Sequence, residues 1–373
     1  MFVLSDNIIS SLGFTTADNI HRICCEQTGI GYVEPGKFSQ RAFPFALVND
    51  AELNERAKSA SIPEHFTRLE RMMLLSIINA LNDSGIDPSN SRCLFVISTT
   101  KGNITRLISE SEKKINNLGE RIRSYFGNPN RAIVVSNACI SGALAVEISA
   151  RFLRTKNYDH VVVAGGDLTT HFVVSGFEAL HALSPNPCRP YDANRDGLTL
   201  GEGCAAMTLS ACPPMRKNES LVVISGGASS CDAVHISAPD RTGAGLNLAI
   251  ARALESSRVQ AKDIDAVCAH GTATAYNDDM ESHAMHLAKL AEKPIYSLKG
   301  YWGHTLGAAG LMETIAAIHS LKQQRIFKTL GFETHGTAKI LNIVKKTENA
   351  NIKHVLKTAS GFGGCNVALI VSI

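Results

Sequence analysis

Cys139 stands at a bend. Residues 131–153 read RAIVVSNACISGALAVEISARFL. Residues 132–135 are a short apolar run with β-branched members, which predicts a buried strand. Ser136 and Asn137 are turn formers. From Ala143 the apolar residues fall at helical spacing, with Leu144, Ile148 and Phe152 along one edge and Ala145 and Val146 beside them. A cysteine where a buried strand passes into a helix points its side chain at a cleft, as the nucleophile elbow of serine hydrolases does. The unpaired N–H groups of the helix start favour thiolate over thiol there. The same stretch also accommodates a buried cysteine acting as a small hydrophobe.

Three further blocks carry residues able to do chemistry. Residues 270–278 read HGTATAYND, 299–304 read KGYWGH, and 360–366 read SGFGGCN. Each follows an apolar, strand-like run, so each is expected at a strand end, where parallel sheets collect ligands. A lone histidine after a strand is more often a satisfied structural residue. Two of them, His270 and His304, together with a cysteine at an elbow, point to nucleophilic catalysis.

The elements that must position these residues are partly visible. Residues 1–13 predict an opening strand and turn, and 16–27 a helix with Thr16 or Asp18 near its cap. Residues 68–84 are amphipathic, with Leu69, Met72, Met73, Ile77 and Leu81 inward and Arg68 and Arg71 on or near the outer side. Residues 94–98 predict a buried strand, and 110–123, with charges of both signs, a solvated helix. Residues 160–165 are another buried strand, so the Cys139 unit sits in a βαβ unit and a parallel sheet. Residues 177–183 predict a helix ending at Ser184-Pro185. In CRPYDANRDGLTLGEG, residues 188–203, the run 198–200 followed by 205–209 predicts a hairpin. Residues 212–220, with Pro213 and Pro214, are the best internal boundary, dividing the chain into 1–212 and 213–373.

A second series follows: strands at 221–226, 266–269, 295–298, 354–359 and 367–371, and helices at 245–256, 279–291 and 311–321. NACISGALAVEISARFL and WGHTLGAAGLMETIAAIH can be laid together, with Cys139 opposite His304 and Gly142 opposite Gly307. That echo predicts two duplicated halves.

Composition excludes several classes. A chain of 373 residues suits two related halves in one body. With 45% hydrophobic and 19% charged residues it is globular rather than disordered. A net charge of +3 is too weak to imply nucleic acid and does not oppose a small acidic protein partner. Ten cysteines without a CxxC pair carry no zinc or redox signature and fit reduced thiols in a cytoplasmic protein. The N-terminus has no basic region followed by an apolar run, so no signal peptide is expected. No apolar run is long enough to span a bilayer. No dinucleotide fingerprint follows a strand, so neither a redox cofactor nor a metal is expected.

In their order, SNACISG, RPYDANRDGLTLGEG, HGTATAYND, KGYWGHTLGAAG and GFGGCN resemble the β-ketoacyl-acyl-carrier-protein synthases, the elongating condensing enzymes of fatty-acid and polyketide synthesis. The resemblance runs from IISSLG near the N-terminus to GFGGCN, nearly the whole chain. It implies an α/β thiolase-like fold, two duplicated halves in a five-layered αβαβα arrangement, and a dimer. It also implies roles. Cys139 matches the nucleophile that takes an acyl chain as a thioester, and His270 and His304 the pair that promotes decarboxylation of a malonyl thioester. Lys299 matches the lysine that sets their electrostatics, and Asp278 and Glu313 acidic residues supporting the lysine and histidines. The amides of Cys139 and Phe362 match the oxyanion hole, with Phe362 the gating aromatic. Thr272 and Thr274 match threonines that hold the phosphopantetheine arm.

The chemistry accounts for these residue types. Thioester transfer needs a soft nucleophile. Decarboxylation leaves an enolate that two neutral Nε2–H donors stabilise, and the tetrahedral intermediate on the cysteine needs its own pair of donors.

The chain departs from the family where many members carry a second phenylalanine two residues before the gate; here Ser360 stands, on the malonyl side of the substrate pocket. The stretch between Ser98 and Cys139 is shorter than usual. SNACISG and ASGFGGCN are similar to condensing enzymes of bacterial aryl-polyene and flexirubin-type pigment clusters. A degradative thiolase would want an Asn-containing block in place of HGTAT and a catalytic cysteine near Cys365. A non-catalytic chain-length partner subunit typically loses the nucleophile. The substrates must arrive on an acyl carrier protein, whose docking face could include Arg68, Arg71, Lys113, Lys114, Arg121 and Arg123. The chain is expected as a homodimer or as a heterodimer with a related ketosynthase-like subunit.

Overall fold

The structure, a computed structural model, describes residues 1–105, 117–213 and 221–373. Buried strands alternate with helices through the chain twice, and the two rounds build the same object. In the first, β1 (Phe2–Ile9), β2 (Cys93–Ser98), β3 (Ile133–Val135), β4 (His160–Asp167) and β5 (Gly203–Ser210) lie in the order β3-β2-β4-β5-β1. In the second, β6 (Val223–Cys231), β7 (Ala266–Cys268), β8 (Ile295–Tyr296), β9 (His354–Gly361) and β10 (Cys365–Ser372) lie in the order β8-β7-β9-β10-β6. The pairing sense repeats as well. β2 is parallel to β3 and β4, and β5 is antiparallel to β4 and β1. Likewise β7 is parallel to β8 and β9, and β10 is antiparallel to β9 and β6. The two arrays meet at one corner, where Phe2 pairs with Val223.

The helices complete five layers. α1 (Arg68–Asn82) and α2 (Leu118–Tyr125) cover the outer face of the first array, and α5 (Ala244–Ser257) and α6 (Ala275–Leu287) that of the second. Between the arrays lie α3 (Ser141–Arg154) and α7 (Ala309–Gln323). α3 touches β2 and β4 on one side and β6 and β10 on the other; α7 touches β9 and β10, and opposite them β1 and β5. This is the αβαβα arrangement of two duplicated halves.

The two central helices start against one another, and glycine makes that approach possible. A Cβ on Gly142 would stand 2.5 Å from the Leu311 amide nitrogen, and one on Gly310 2.5 Å from that of Ala143. Replacing Gly142 by valine is therefore expected to cost roughly 1–3 kcal/mol, because backbone rather than a movable side chain must give way. Urea unfolding reads this as a lower midpoint; an unchanged midpoint would contradict the close approach.

Several expectations need correction. The helix expected at 16–27 runs Thr16–Cys24, and its cap is Thr15, whose side chain accepts from the Asp18 amide. The buried face of α3 is the small-residue one, Gly142, Ala143, Ala145, Val146 and Ser149. Leu144, Ile148 and Phe152 are only partly buried, because a helix held between two sheets and a neighbour has no room for them inward. The helix expected at 177–183 is α4 (His171–Ala179), fixed by Thr170, whose hydroxyl caps the Val173 amide. Residues 200–209 form no hairpin: Leu200–Gly201 pairs in parallel with Phe43–Ala46 in a small separate sheet, while β5 joins the main one. A Cβ on Gly201 would meet the Trp302 carbonyl, so the chain passes tightly under that turn and changes sheets. Of the expected helix at 110–123, residues 110–116, with Lys113 and Lys114, lie outside the described residues. The remainder, α2, buries Leu118 and Ile122 and is not a solvated face throughout.

Candidate active site

The bend at Cys139 is built from its neighbours. Ala138 takes φ 43°, the left-handed region, where a tight turn forces a residue with a side chain. The Ser141 hydroxyl fixes the turn by accepting from the Asn137 amide at 2.7 Å and donating to the Ala138 carbonyl at 2.7 Å. α3 then begins without a side-chain cap, leaving the positive end of the helix toward Cys139. The Phe362 amide donates to the cysteine sulfur. Even so, burial pushes the Cys139 thiol up to about 11, outweighing the nearby Lys299 and Lys101 ammonium groups and that amide, all of which favour thiolate. The helix start alone does not produce a resting thiolate. Alkylation of Cys139 by iodoacetamide, followed by peptide mass spectrometry, is expected to rise about tenfold per pH unit between pH 7 and 10. A plateau below pH 8 would contradict it.

The strand ends bring both histidines to this sulfur. His270 follows β7, and His304 is held between the Thr199 carbonyl, which its amide reaches at 2.7 Å, and the Gly201 amide, which donates to its carbonyl at 3.1 Å. The Cys139 sulfur and a nitrogen of each imidazole lie within 4.8 Å of one another, and the rings meet edge to face with centroids 5.3 Å apart. Burial, then the Lys299 ammonium, holds both imidazoles well below the usual histidine range, so both are neutral at pH 7. The neutral tautomers follow from their partners. The Leu306 amide donates to His304 Nδ1 at 3.3 Å, and Lys299 Nζ lies 3.2 Å from His270 Nδ1. Each proton is therefore on Nε2.

Lys299 is saturated. Its three N–H groups have three acceptors: the His270 carbonyl at 2.6 Å, Glu313 Oε1 at 2.7 Å and His270 Nδ1. The other oxygen of Glu313 faces Lys357 Nζ at 2.9 Å. A Cys-His-His set could bind a soft divalent cation, but the Lys299 and Lys101 charges act on the same atoms and disfavour positive charge there.

The HGTAT turn is held from below by two carboxylates one helical turn apart on α6. Glu281 accepts from the His270 amide at 2.8 Å, the Gly271 amide at 2.7 Å and the Tyr191 hydroxyl at 3.0 Å. Asp278 accepts from the Thr272 amide at 3.0 Å and the Tyr191 amide at 2.8 Å. Burial and the neighbouring Glu281 push Asp278 up to about 7. Asp278 thus supports the loop that follows His270, and the acidic partner of Lys299 is Glu313. The Thr272 and Thr274 hydroxyls lie 2.8 Å apart.

Two cavities meet at the sulfur, with Phe362 lining both. The smaller, about 450 Å³, is lined by Cys139, His270, His304, Thr272, Thr274 and Ser360. The larger, about 940 Å³, runs the other way past Thr100, Lys101, Phe172, Val173 and Leu306. Phe362 stacks on Phe177 with centroids 6.0 Å apart. Ser360 donates to Asn366 Oδ1 at 2.7 Å, and Asn366 in turn donates to Asp232 at 2.7 Å, tying the GFGGCN turn to the loop after β6. Cys365 is half-buried and lines neither cavity.

Family comparison agrees with this geometry. A family model described as the N-terminal domain of beta-ketoacyl synthase matches residues 45–213, and one described as its C-terminal domain matches 221–333. The chain belongs to the β-ketoacyl synthase family. It is an acyltransferase of the 3-oxoacyl-[acyl-carrier-protein] synthase type. It is 30% identical over 368 residues to a putative polyketide beta-ketoacyl synthase 1 of Streptomyces cyaneus, covering 88% of this chain and 85% of that protein. It is 33% identical over 253 residues to a 3-oxoacyl-[acyl-carrier-protein] synthase homolog of Saccharomyces cerevisiae, covering 63% of this chain and 57% of that one. A solved chain from the complex of the ketosynthase ApeO with its chain length factor ApeC, from Xenorhabdus doucetiae, superposes with a TM-score of 0.87 at 22% identity. It covers 100% of this chain and 97% of its own, a likeness of fold.

Two of the arginines expected on a docking face are committed elsewhere. Arg68 forks onto the buried Glu202 at 2.6 and 2.9 Å, and Arg121 pairs with the buried Glu70 at 2.5 Å. Glu281, Lys357 and Tyr191 are site-supporting residues that sequence reasoning missed. A lysine inside the apolar run HVLKTAS, and a second carboxylate three residues after Asp278, were the available signals.

Proposed function

We propose that this chain condenses an acyl group, held as a thioester on Cys139, with malonyl-acyl carrier protein to give 3-oxoacyl-acyl carrier protein. The observation that carries the reading is the convergence of one thiol and two neutral Nε2–H imidazoles on one point. In acyl transfer the sulfur attacks the incoming thioester carbonyl, the new C–S bond forms, the carrier's C–S bond breaks, and the thiol proton ends on the departing carrier. The amides of Cys139 and Phe362 receive the oxyanion, and the chain enters the larger cavity. The malonyl arm then occupies the smaller one, against Thr272 and Thr274. Its carboxylate leaves as carbon dioxide, and the electron pair stays as an enolate whose oxygen accepts from His270 and His304. The enolate carbon attacks the acyl-cysteine, a C–C bond forms, the C–S bond breaks, and the thiolate takes one proton from water. Lys299 donates to His270 Nδ1 and so keeps its proton on Nε2. Ser360 shapes the malonyl side. No cofactor enters any step.

The substrates place the chain in fatty-acid or polyketide synthesis, and the motif resemblance favours the aryl-polyene and flexirubin-type pigment subgroup. Residues 1–212 and 213–373 are its two halves. Acyl carrier protein is the partner, and a second copy or a related ketosynthase-like subunit covers the β3 edge, where Val134 is exposed. Free thiols support a cytoplasmic setting; among the described residues no helix is long and apolar enough to cross a membrane. A second reading, a chain-length partner subunit, draws on complexes such as that of the ApeO ketosynthase with the ApeC chain length factor. The intact Cys139, His270, His304 and Lys299 set favours the catalytic one. Turnover with acyl- and malonyl-carrier protein tests it: the product should be two carbons longer, with one carbon dioxide per cycle. His304→Ala should lower its rate about 10²–10³-fold, the usual cost of losing one oxyanion donor. Carbon dioxide release without elongation would contradict the reading.

A further inference from the structure

The larger cavity is apolar along most of its wall, with Phe172, Val173, Phe177 and Leu306, yet an ammonium group stands in it beside Cys139. Lys101 is half-buried. Its position is fixed. Lys101 Nζ donates to Thr100 Oγ1 at 2.7 Å, and that hydroxyl donates to Asp167 Oδ2 at 2.8 Å. Asp167 is buried and also accepts from the Thr99 hydroxyl at 2.9 Å, the Thr100 amide at 2.9 Å and the Gly307 amide at 2.7 Å. The strap 99–101 is thereby pinned to the start of the central helices. Among the described residues Thr100 is the one hydrogen-bond partner of Lys101 Nζ, whose ammonium group carries three N–H donors. The charge is close enough to act on both Cys139 and His304.

A saturated chain lying in this cavity would bury that ammonium group without giving it an acceptor, which is costly. A chain with an oxygen near the thioester would satisfy it. We propose that Lys101 is a specificity-determining residue that selects acyl groups bearing a hydrogen-bond-accepting oxygen within the first few carbons, such as 3-oxoacyl or 5-oxoacyl chains, over saturated ones of equal length. The inference rests on the condensing reading above, not on the pigment subgroup, and goes beyond it by naming the acyl class.

The test compares rates of Cys139 acylation by hexanoyl, 3-oxohexanoyl and 5-oxohexanoyl thioesters, read by intact mass. The wild-type protein is expected to prefer at least one oxo chain by roughly tenfold or more. Lys101→Met should bring the ratio near one, and Lys101→Arg should keep it. Equal wild-type rates overturn the inference, whether or not the variants fold. A fall of all three rates by one factor in Lys101→Met also overturns it, because the lysine would then act on the sulfur alone. No adduct from any thioester would remove the condensing reading and this inference with it, whereas adducts at one common rate would remove this inference only.

Discussion

Replacing Glu313 by leucine is expected to remove about 3–5 kcal/mol of stability, the cost of breaking a buried ion pair from one side. Its carboxylate stands between Lys299 at 2.7 Å and Lys357 at 2.9 Å, and all three side chains are fully buried. Without it, two buried ammonium groups lose the carboxylate that both contact. The double variant Glu313→Leu/Lys357→Met removes one of the two and should recover part of the loss. Urea unfolding measures both, and a loss below about 1 kcal/mol for the single variant would contradict the network. Activity should fall further than stability, since Lys299 loses one of the three contacts that aim it at His270 Nδ1.

Cys139→Ala should lower condensation by on the order of 10⁴-fold or more, as loss of a covalent nucleophile does. Stability should change little, because the thiol lines a cavity and its sulfur accepts from the Phe362 amide rather than anchoring packed neighbours. Steady-state turnover and a denaturation curve on the same preparation separate the two effects. Retained turnover would return Cys139 to the role of a small hydrophobe in the bend.

The candidate site positions were legible in the sequence because each stands just after an apolar strand, where chemistry and turn signals coincide. Cys139, His270, His304, Lys299 and Phe362 all meet at one place. The supporting charges were harder to read. Glu281 and Lys357 lie within a helix and a strand, where local pattern reports burial but not a partner 77 or 44 residues away, as Thr358 is for Glu281 and Glu313 for Lys357. Helical periodicity marks the Leu144 edge of α3 as apolar, but not which face a crowded central layer can admit, and the small-residue face is the buried one. The sheet change at Gly201 depends on the passage under Trp302, a contact between distant segments. Duplication was visible as one weak motif echo, and the strand order of the two arrays makes it plain.

The sign of the protonation states also follows from the site. Both imidazoles are depressed, so the fold favours their neutral forms. The stability they contribute is present above the ordinary histidine value near pH 6.5 and is lost as pH falls toward their folded values. Asp278, raised to about 7, acts in the opposite direction as pH climbs from about 4 to 7.

The most direct measurement of the central claim is a single-turnover chase. The acyl-enzyme is isolated, its mass adduct mapped to Cys139, and malonyl-carrier protein is added. The adduct should disappear at the rate at which a 3-oxoacyl-carrier two carbons longer appears, with one carbon dioxide released. An adduct that maps to another residue, or that persists while malonyl groups are consumed, would contradict it.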